Sequence, residues 1–343
     1  MTTTPSSRPH PTSTTASGLS RSDEPQVDDT QRAPAAGQRA LVLGGGGSTG
    51  NAWLIGVVAG LFDAGLDVTT ADLTIGTSAG STAAAQLAGA TPPDLFAATV
   101  AAPPQRPVGP TGSDRGAAPA RPAPARPAPA RPAPARPVTD QLERMKAIIA
   151  SADDAADMRR RMGAAALELE AASDGTWPQR WRAIVAARLP SQEWPRRAVL
   201  ITAVDARTGD GVVFDRDSGV DLVDAVAASC ASGLPYRIGD RRYIDGGYRR
   251  NENADLAAGY GRVLVLSPFG GRTMHPLEWG MQLAAQVDEL RAGGSRVETI
   301  CPEAAAEHMF GANAMDPSLR EPAARAGYDQ GRARAEQLAE LWG

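Results

Sequence analysis

Gly76-Thr77-Ser78-Ala79-Gly80 places a serine between two glycines in the spacing G-x-S-x-G. That spacing suits a sharp turn from a strand into a helix, where small neighbours let the turn close and leave the hydroxyl exposed. The chemistry it supports is attack on an ester carbonyl, with the following helix N-terminus favouring the negative charge that develops. A serine hydroxyl needs a base, and the usual base is histidine. This chain has three: His10, His275 and His308. His10 lies in a polar leader, and the other two fall in helical or loop-like stretches with no apparent strand-end position. Asp245-Gly246-Gly247, by contrast, closes the strand-like run RRYI. An Asp there, with two glycines after it, is placed to face the carboxyl edge of a sheet and to accept the proton directly. By itself Asp-Gly-Gly is an ordinary turn.

A third glycine-rich stretch, Gly44-Gly45-Gly46-Gly47-Ser48-Thr49-Gly50, follows the apolar run LVL. Four consecutive glycines carry a high entropic cost, so a site needing bare N–H groups or positive φ is implied. One use is an oxyanion hole built from backbone amides. The other is dinucleotide binding, since Gly45, Gly47 and Gly50 fit G-x-G-x-x-G and Asp67 lies at a workable distance for a ribose contact. A P-loop is excluded, because no Lys follows the last glycine.

The elements around these motifs read as β-then-α units. RALVL leads into the helical NAWLIGVVAGLFDAG, which Gly65 caps, and DLTIG leads into SAGSTAAAQLAGA. Helical patterns fill 139–189. The strands AVLITAV, GVVFD, RRYI, RVLVLSP and SRVETICP then alternate with helices, and a closing helix begins near Glu321. The expected fold is α/β: a three-layer α/β/α sandwich with a mostly parallel central sheet. Asp205 reads as a strand-end turn and Trp53 as a core residue.

The order GGGSTG, GTSAG, DGG, together with VAASCASGLPYRIGDRRYIDGG, resembles the patatin-like phospholipases. The resemblance runs from about Ala40 to Pro268 and implies a Ser-Asp dyad in place of a triad. It makes Ser78 the nucleophile and Asp245 the base, and the amides around Gly45, Gly46 and Gly47 the oxyanion hole. Gly50, Gly76, Gly80, Gly246 and Gly247 are the remaining motif glycines. The implied activity is hydrolysis of lipid esters through an acyl-enzyme, with no cofactor or metal. Where many members carry Arg or Lys before the last glycine of the first motif, this chain has Thr49. That change keeps the amides and removes a cation that would meet a phosphate headgroup. Two other readings remain open: a non-catalytic member of the fold that binds lipid or a partner, and the dinucleotide binder.

Composition narrows the partners. A formal charge of -4 argues against nucleic acid. Cys230 and Cys301 lie too far apart for a zinc site or a disulfide framework, and read as thiols in a reducing compartment. The start of the sequence has no apolar h-region and no run approaches a membrane span, so a cytoplasmic protein with room for peripheral lipid contact is expected. Residues 1–38, poor in large apolar side chains, are expected to be a disordered leader. The domain is expected over 39–343, interrupted by a Pro/Ala/Arg-rich disordered insert over 101–137.

Overall fold

The computed structural model describes residues 35–101 and 137–343. The expected leader and insert lie outside the described residues except at their borders. There, strand β1 (Ala35–Leu43) starts ahead of residue 39, and helices α3 (Pro92–Ala101) and α4 (Pro137–Ser151) take in residues 101 and 137.

The first motif joins β1 to α1 (Gly47–Asp63), and the second joins β2 (Leu73–Gly76) to α2 (Ala79–Gly89). After α3 and α4 come α5 (Ala155–Ala171), α6 (Trp177–Ala186), β3 (Ala198–Asp205), β4 (Gly211–Phe214) and α7 (Leu222–Ser229). The chain continues with β5 (Tyr236–Ile238), β6 (Arg241–Asp245), β7 (Tyr260–Leu266), α8 (Leu283–Ala292), β8 (Arg296–Ile300) and α9 (Arg320–Trp342). Two elements were not expected. Helix α3 opens on Pro92-Pro93, a pair that reads as a breaker but sits in the first turn, where no N–H partner is needed. Strand β5 is only three residues long and exists as the hairpin partner of β6.

The eight strands form one sheet in the order β5-β6-β3-β2-β1-β7-β8, with β4 also paired to β3. Pairs β1–β2, β1–β7, β2–β3 and β7–β8 are parallel, and those among β3, β4, β5 and β6 are antiparallel. Alternation along the strands divides the core. Leu41, Leu43, Leu264 and Leu266 pack with residues of α1, α2, α7 and α9. Ala40, Val42, Val263 and Val265 pack with α8, while Val204 and Ile244 meet α5. The result is the expected helix–sheet–helix sandwich. No helix of the described residues is long and apolar enough to cross a membrane.

Register explains how the site is assembled. Strand β2 pairs with 198–201 of β3, and β6 pairs with 203–205. Strand β4 pairs with 201–204, so it shares Ile201 with β2 and Ala203 with β6. One strand edge holds one partner at a time, so β4 takes one edge of β3 while β2 and β6 share the other. The carboxyl ends of β2 and β6 therefore meet head to head. Asp245 reaches the end of β2, and so the turn that carries Ser78, because β6 is antiparallel and stops there, and not because a parallel strand ends there.

Helices α1 and α9 lie against each other through glycines on both sides. Added Cβ atoms at Gly56 and Gly60 would stand 2.0 Å and 2.1 Å from the carbonyl oxygens of Ala324 and Tyr328. Those at Gly327 and Gly331 would stand 2.4 Å and 2.3 Å from the carbonyls of Trp53 and Val57. Alanine normally favours a helix over glycine by about 1 kcal/mol. Here the backbone clash reverses the sign, because overpacking costs about 1–3 kcal/mol or more. We expect Gly56→Ala to lower the melting temperature in a calorimetric scan; a rise would mean the two helices are not locked in this way.

Candidate active site

Strand β2 ends at Gly76, and the chain reverses through Thr77 and Ser78 into α2. Ser78 holds φ 52° and ψ −113°, a strained conformation for a residue with a Cβ. It is maintained from several sides. The Ser78 N–H donates to Ser229 Oγ at 2.9 Å, and the Thr77 N–H donates to the Leu43 carbonyl at 3.1 Å. Gly80 leaves no room for a side chain, since a Cβ there would stand 1.8 Å from that same carbonyl. This approach brings the second motif against the first.

Ser78 Oγ donates to Asp245 Oδ2 at 2.7 Å. The other carboxylate oxygen, Oδ1, accepts the Gly247 N–H at 2.8 Å, which fixes the plane of the group. Asp245 is buried, and desolvation pushes its pKa up from 3.8 to about 6. The bonds from Gly247 and Ser78 oppose that rise. Gly246 is held against Thr202, where a Cβ would meet Oγ1 at 2.3 Å.

A buried polar cluster ties the two motif ends together. Asn253, itself at φ 53°, places Nδ2 at 3.0 Å from Thr77 Oγ1, 3.2 Å from Thr202 Oγ1 and 3.2 Å from the Gly246 carbonyl. Asn251 holds the glycine loop, its carbonyl accepting the Gly45 N–H at 2.9 Å and its Nδ2 donating to the Gly45 carbonyl at 3.3 Å. Beneath them the Glu252 carboxyl is almost fully buried. It accepts from Asn251, Ser267 and Gln286, and burial raises its pKa.

The amides expected to face an oxyanion differ in their hydrogen bonding. The Gly45 amide is already engaged by Asn251 and has no donor to offer. The amides of Gly46 and Gly47, at the start of α1, have no hydrogen-bond partner among the described residues. The Ala79 amide, next to the serine, is in the same state. Gly50 instead returns its N–H to Gly46 at 3.0 Å, closing the first turn of α1. Thr49 is fully buried, with its N–H on the Ala314 carbonyl.

The histidines stand apart from this geometry. His275 Nδ1 contacts Thr273 Oγ1 at 2.6 Å, and burial lowers its pKa to about 4. His308 Nδ1 lies 2.9 Å from the Ala305 carbonyl on the surface. Asp67 Oδ1 accepts from both the N–H and the hydroxyl of Thr69, which makes it the cap of a local turn. Asp205 likewise closes a turn, accepting from the amides of Arg207 and Thr208. Trp53 is a core residue, packed edge-on to Phe310.

A family model for patatin-like phospholipase matches residues 41–258, well over half of the chain. The chain belongs to the patatin-like phospholipases. This is a family of lipid acyl hydrolases, and the match spans all three glycine motifs, from the strand before the first to the residues after Asp245. Among solved structures, the crystal structure of VipD from Legionella pneumophila is similar at 14% identity and a TM-score of 0.40, covering 89% of this chain and 68% of that one. No curated protein sequence matches the chain.

Several groups of this patatin-like site were not read from sequence. Ser229, Asn251, Asn253 and Thr202 are ordinary polar residues, and the contacts by which they hold Ser78, the Gly45 carbonyl and one another span 51 to 206 positions, beyond any local pattern. Cys230 was read only as a buried thiol. Its Sγ in fact donates to the Ser78 carbonyl at 3.1 Å, and burial keeps the thiol protonated for that role. Arg320 lies outside the matched span.

Proposed function

We propose that this protein is a serine esterase acting on lipid esters, with Ser78 as nucleophile and Asp245 as its base. The observation that carries this is the 2.7 Å bond from Ser78 Oγ to a buried carboxylate with no histidine between them. As Oγ bonds to the ester carbonyl carbon, its proton passes to Asp245 Oδ2. The carbonyl oxygen becomes an oxyanion beside the free N–H groups of Gly46, Gly47 and Ala79. Collapse of that intermediate breaks the bond to the alcohol, which leaves with the proton from Asp245. Water then attacks the acyl-enzyme with Asp245 again as base, releasing the fatty acid and restoring Ser78.

A carboxylate of ordinary pKa is a weak base for an alcohol. Desolvation to about 6 brings Asp245 closer to the operating pH while leaving it ionised at neutrality. The strained backbone at Ser78 holds Oγ in place before substrate arrives, so little reorganisation is needed. A fluorophosphonate probe tests the reading directly. The intact protein should be labelled at Ser78, with site identity read by peptide mass spectrometry. Absence of labelling at any serine would favour the non-catalytic reading.

A further inference from the structure

Arg249 follows Asp245 closely in the chain and reaches the buried cluster behind the reacting pair. Its Nη1 donates to Asn253 Oδ1 at 2.7 Å and to Asp255 Oδ1 at 3.0 Å, and its Nη2 donates to Asp255 Oδ2. Its own N–H returns to the Gly246 carbonyl at 3.1 Å. The stem is pressed against the start of β4, where a Cβ on Gly211 would stand 2.6 Å from Arg249 Cδ. Asp255 lies 3.6 Å from Arg250 Nη1, and Arg250 pairs with Glu289 of α8 at 2.6 Å. Arg249 also lines an open cavity of about 290 Å³, together with Arg159, Trp279 and Glu289. It is therefore half-buried and anchored by a charged network, while Asn253 is wholly buried.

That anchor decides which way the Asn253 amide faces. A guanidinium only donates, so the atom turned to Arg249 is the amide oxygen. Nδ2 is then turned to acceptors: Thr77 Oγ1, Thr202 Oγ1, the Gly246 carbonyl, and the Arg250 carbonyl at 2.7 Å. The opposite orientation would set Nδ2 against Arg249 and Oδ1 against two carbonyls. Without Arg249, Oδ1 becomes a buried acceptor that has lost its charged donor, and Asn253 is no longer held in place. Thr77 precedes Ser78 and Gly246 follows Asp245, so a shift of Asn253 moves both ends of the reacting pair.

We propose that Arg249 is a positioning residue for acyl transfer: by fixing the Asn253 amide, it sets the separation of Ser78 Oγ and Asp245 Oδ2. This role rests on that pair being the nucleophile and its base. Arg249 touches neither of them and acts through Asn253.

The test is steady-state hydrolysis of p-nitrophenyl butyrate by the full-length protein, with a melting curve for every sample. In Arg249→Gln the shorter amide stops short of Asn253 and cannot replace the contact. Its kcat should fall roughly tenfold or more with KM within about twofold, because a small misplacement slows the chemistry and leaves substrate binding alone. Fluorophosphonate labelling of Ser78 should slow by a similar factor. A double-mutant cycle then asks whether the effect passes through Asn253. Asn253→Gly keeps the left-handed backbone of φ 53° and removes the side chain. In that background Arg249→Gln should change kcat by less than about twofold, whereas a residue that merely stabilises the fold costs the same in both. Should Arg249→Gln fail to fold, Arg249→Lys takes its place in both parts. An ammonium cannot hold Asn253 and Asp255 in one fork, so kcat should fall several-fold. Unchanged kcat in the folded variant, or an equal loss with and without the Asn253 side chain, overturns the positioning role alone. Wild-type protein that neither turns over the ester nor takes the fluorophosphonate at any serine overturns the hydrolase reading and the positioning role with it.

Discussion

Ser78→Ala is expected to lower ester hydrolysis by at least ~10³-fold and to abolish fluorophosphonate labelling, because a nucleophile and its base act as a unit. The substitution removes one oxygen and little else. The backbone bond from Ser78 N–H to Ser229 Oγ remains, as does the N–H of Thr77 on the Leu43 carbonyl. Asp245 keeps the Gly247 N–H and loses only the donor at 2.7 Å. The melting temperature should therefore stay close to that of the parent protein. The measurement is turnover of a short-chain ester by a pure preparation, with a melting curve of the same sample. Near-normal turnover would place the nucleophile elsewhere.

The layers of the fold were legible because period and punctuation agree in this sequence. RALVL and DLTIG each run into glycines and then into helical spacing, and the Gly65 cap falls where the α1 pattern ends. Its N–H and that of Leu66 return to Phe62 and Leu61, closing the helix as a C-terminal glycine does. The strand-end positions of Ser78 and Asp245 were legible for a similar reason, since each is marked by glycine. What local pattern does not carry is the partner of each strand. The direction of β6 follows from its three pairs with β3, and no property of RRYID distinguishes a parallel from an antiparallel strand. The state of the Gly45 amide was hidden in the same way, because its acceptor, the Asn251 carbonyl, is 206 positions distant. Four glycines look equivalent in sequence, and only the loop that covers them decides which N–H groups stay free. The role of α9 was equally non-local: its glycines show a small face, but that face gains meaning only against Gly56 and Gly60 of α1.

Asp245→Asn separates catalysis from stability more sharply than any other change. The amide keeps the shape, accepts the Gly247 N–H and can donate to Ser78 Oγ, yet it cannot take up a proton. Hydrolysis should fall by ~10³-fold or more. His275→Ala and His308→Ala should each retain most of the activity, since neither ring contacts Ser78 or Asp245. A comparable loss in either histidine variant, with the fold intact, would make a triad the better account and leave Asp245 to orient that histidine. The wild-type pH profile should show kcat/KM falling as pH drops through about 6, where Asp245 becomes protonated. Stability moves the other way. The folded-state pKa lies above the unfolded value of 3.8, so the folded protein holds the proton more tightly and loses stability as pH rises towards about 6. Above that pH the buried charge costs about 3 kcal/mol, which Asn does not incur. Asp245→Asn should therefore melt higher than wild type at pH 8, and the gap should close as pH is lowered towards 4. A variant that melts lower at pH 8 would mean that the Ser78 and Gly247 bonds to the carboxylate outweigh its desolvation, and that Asp245 is not a strained base but a stabilising anchor.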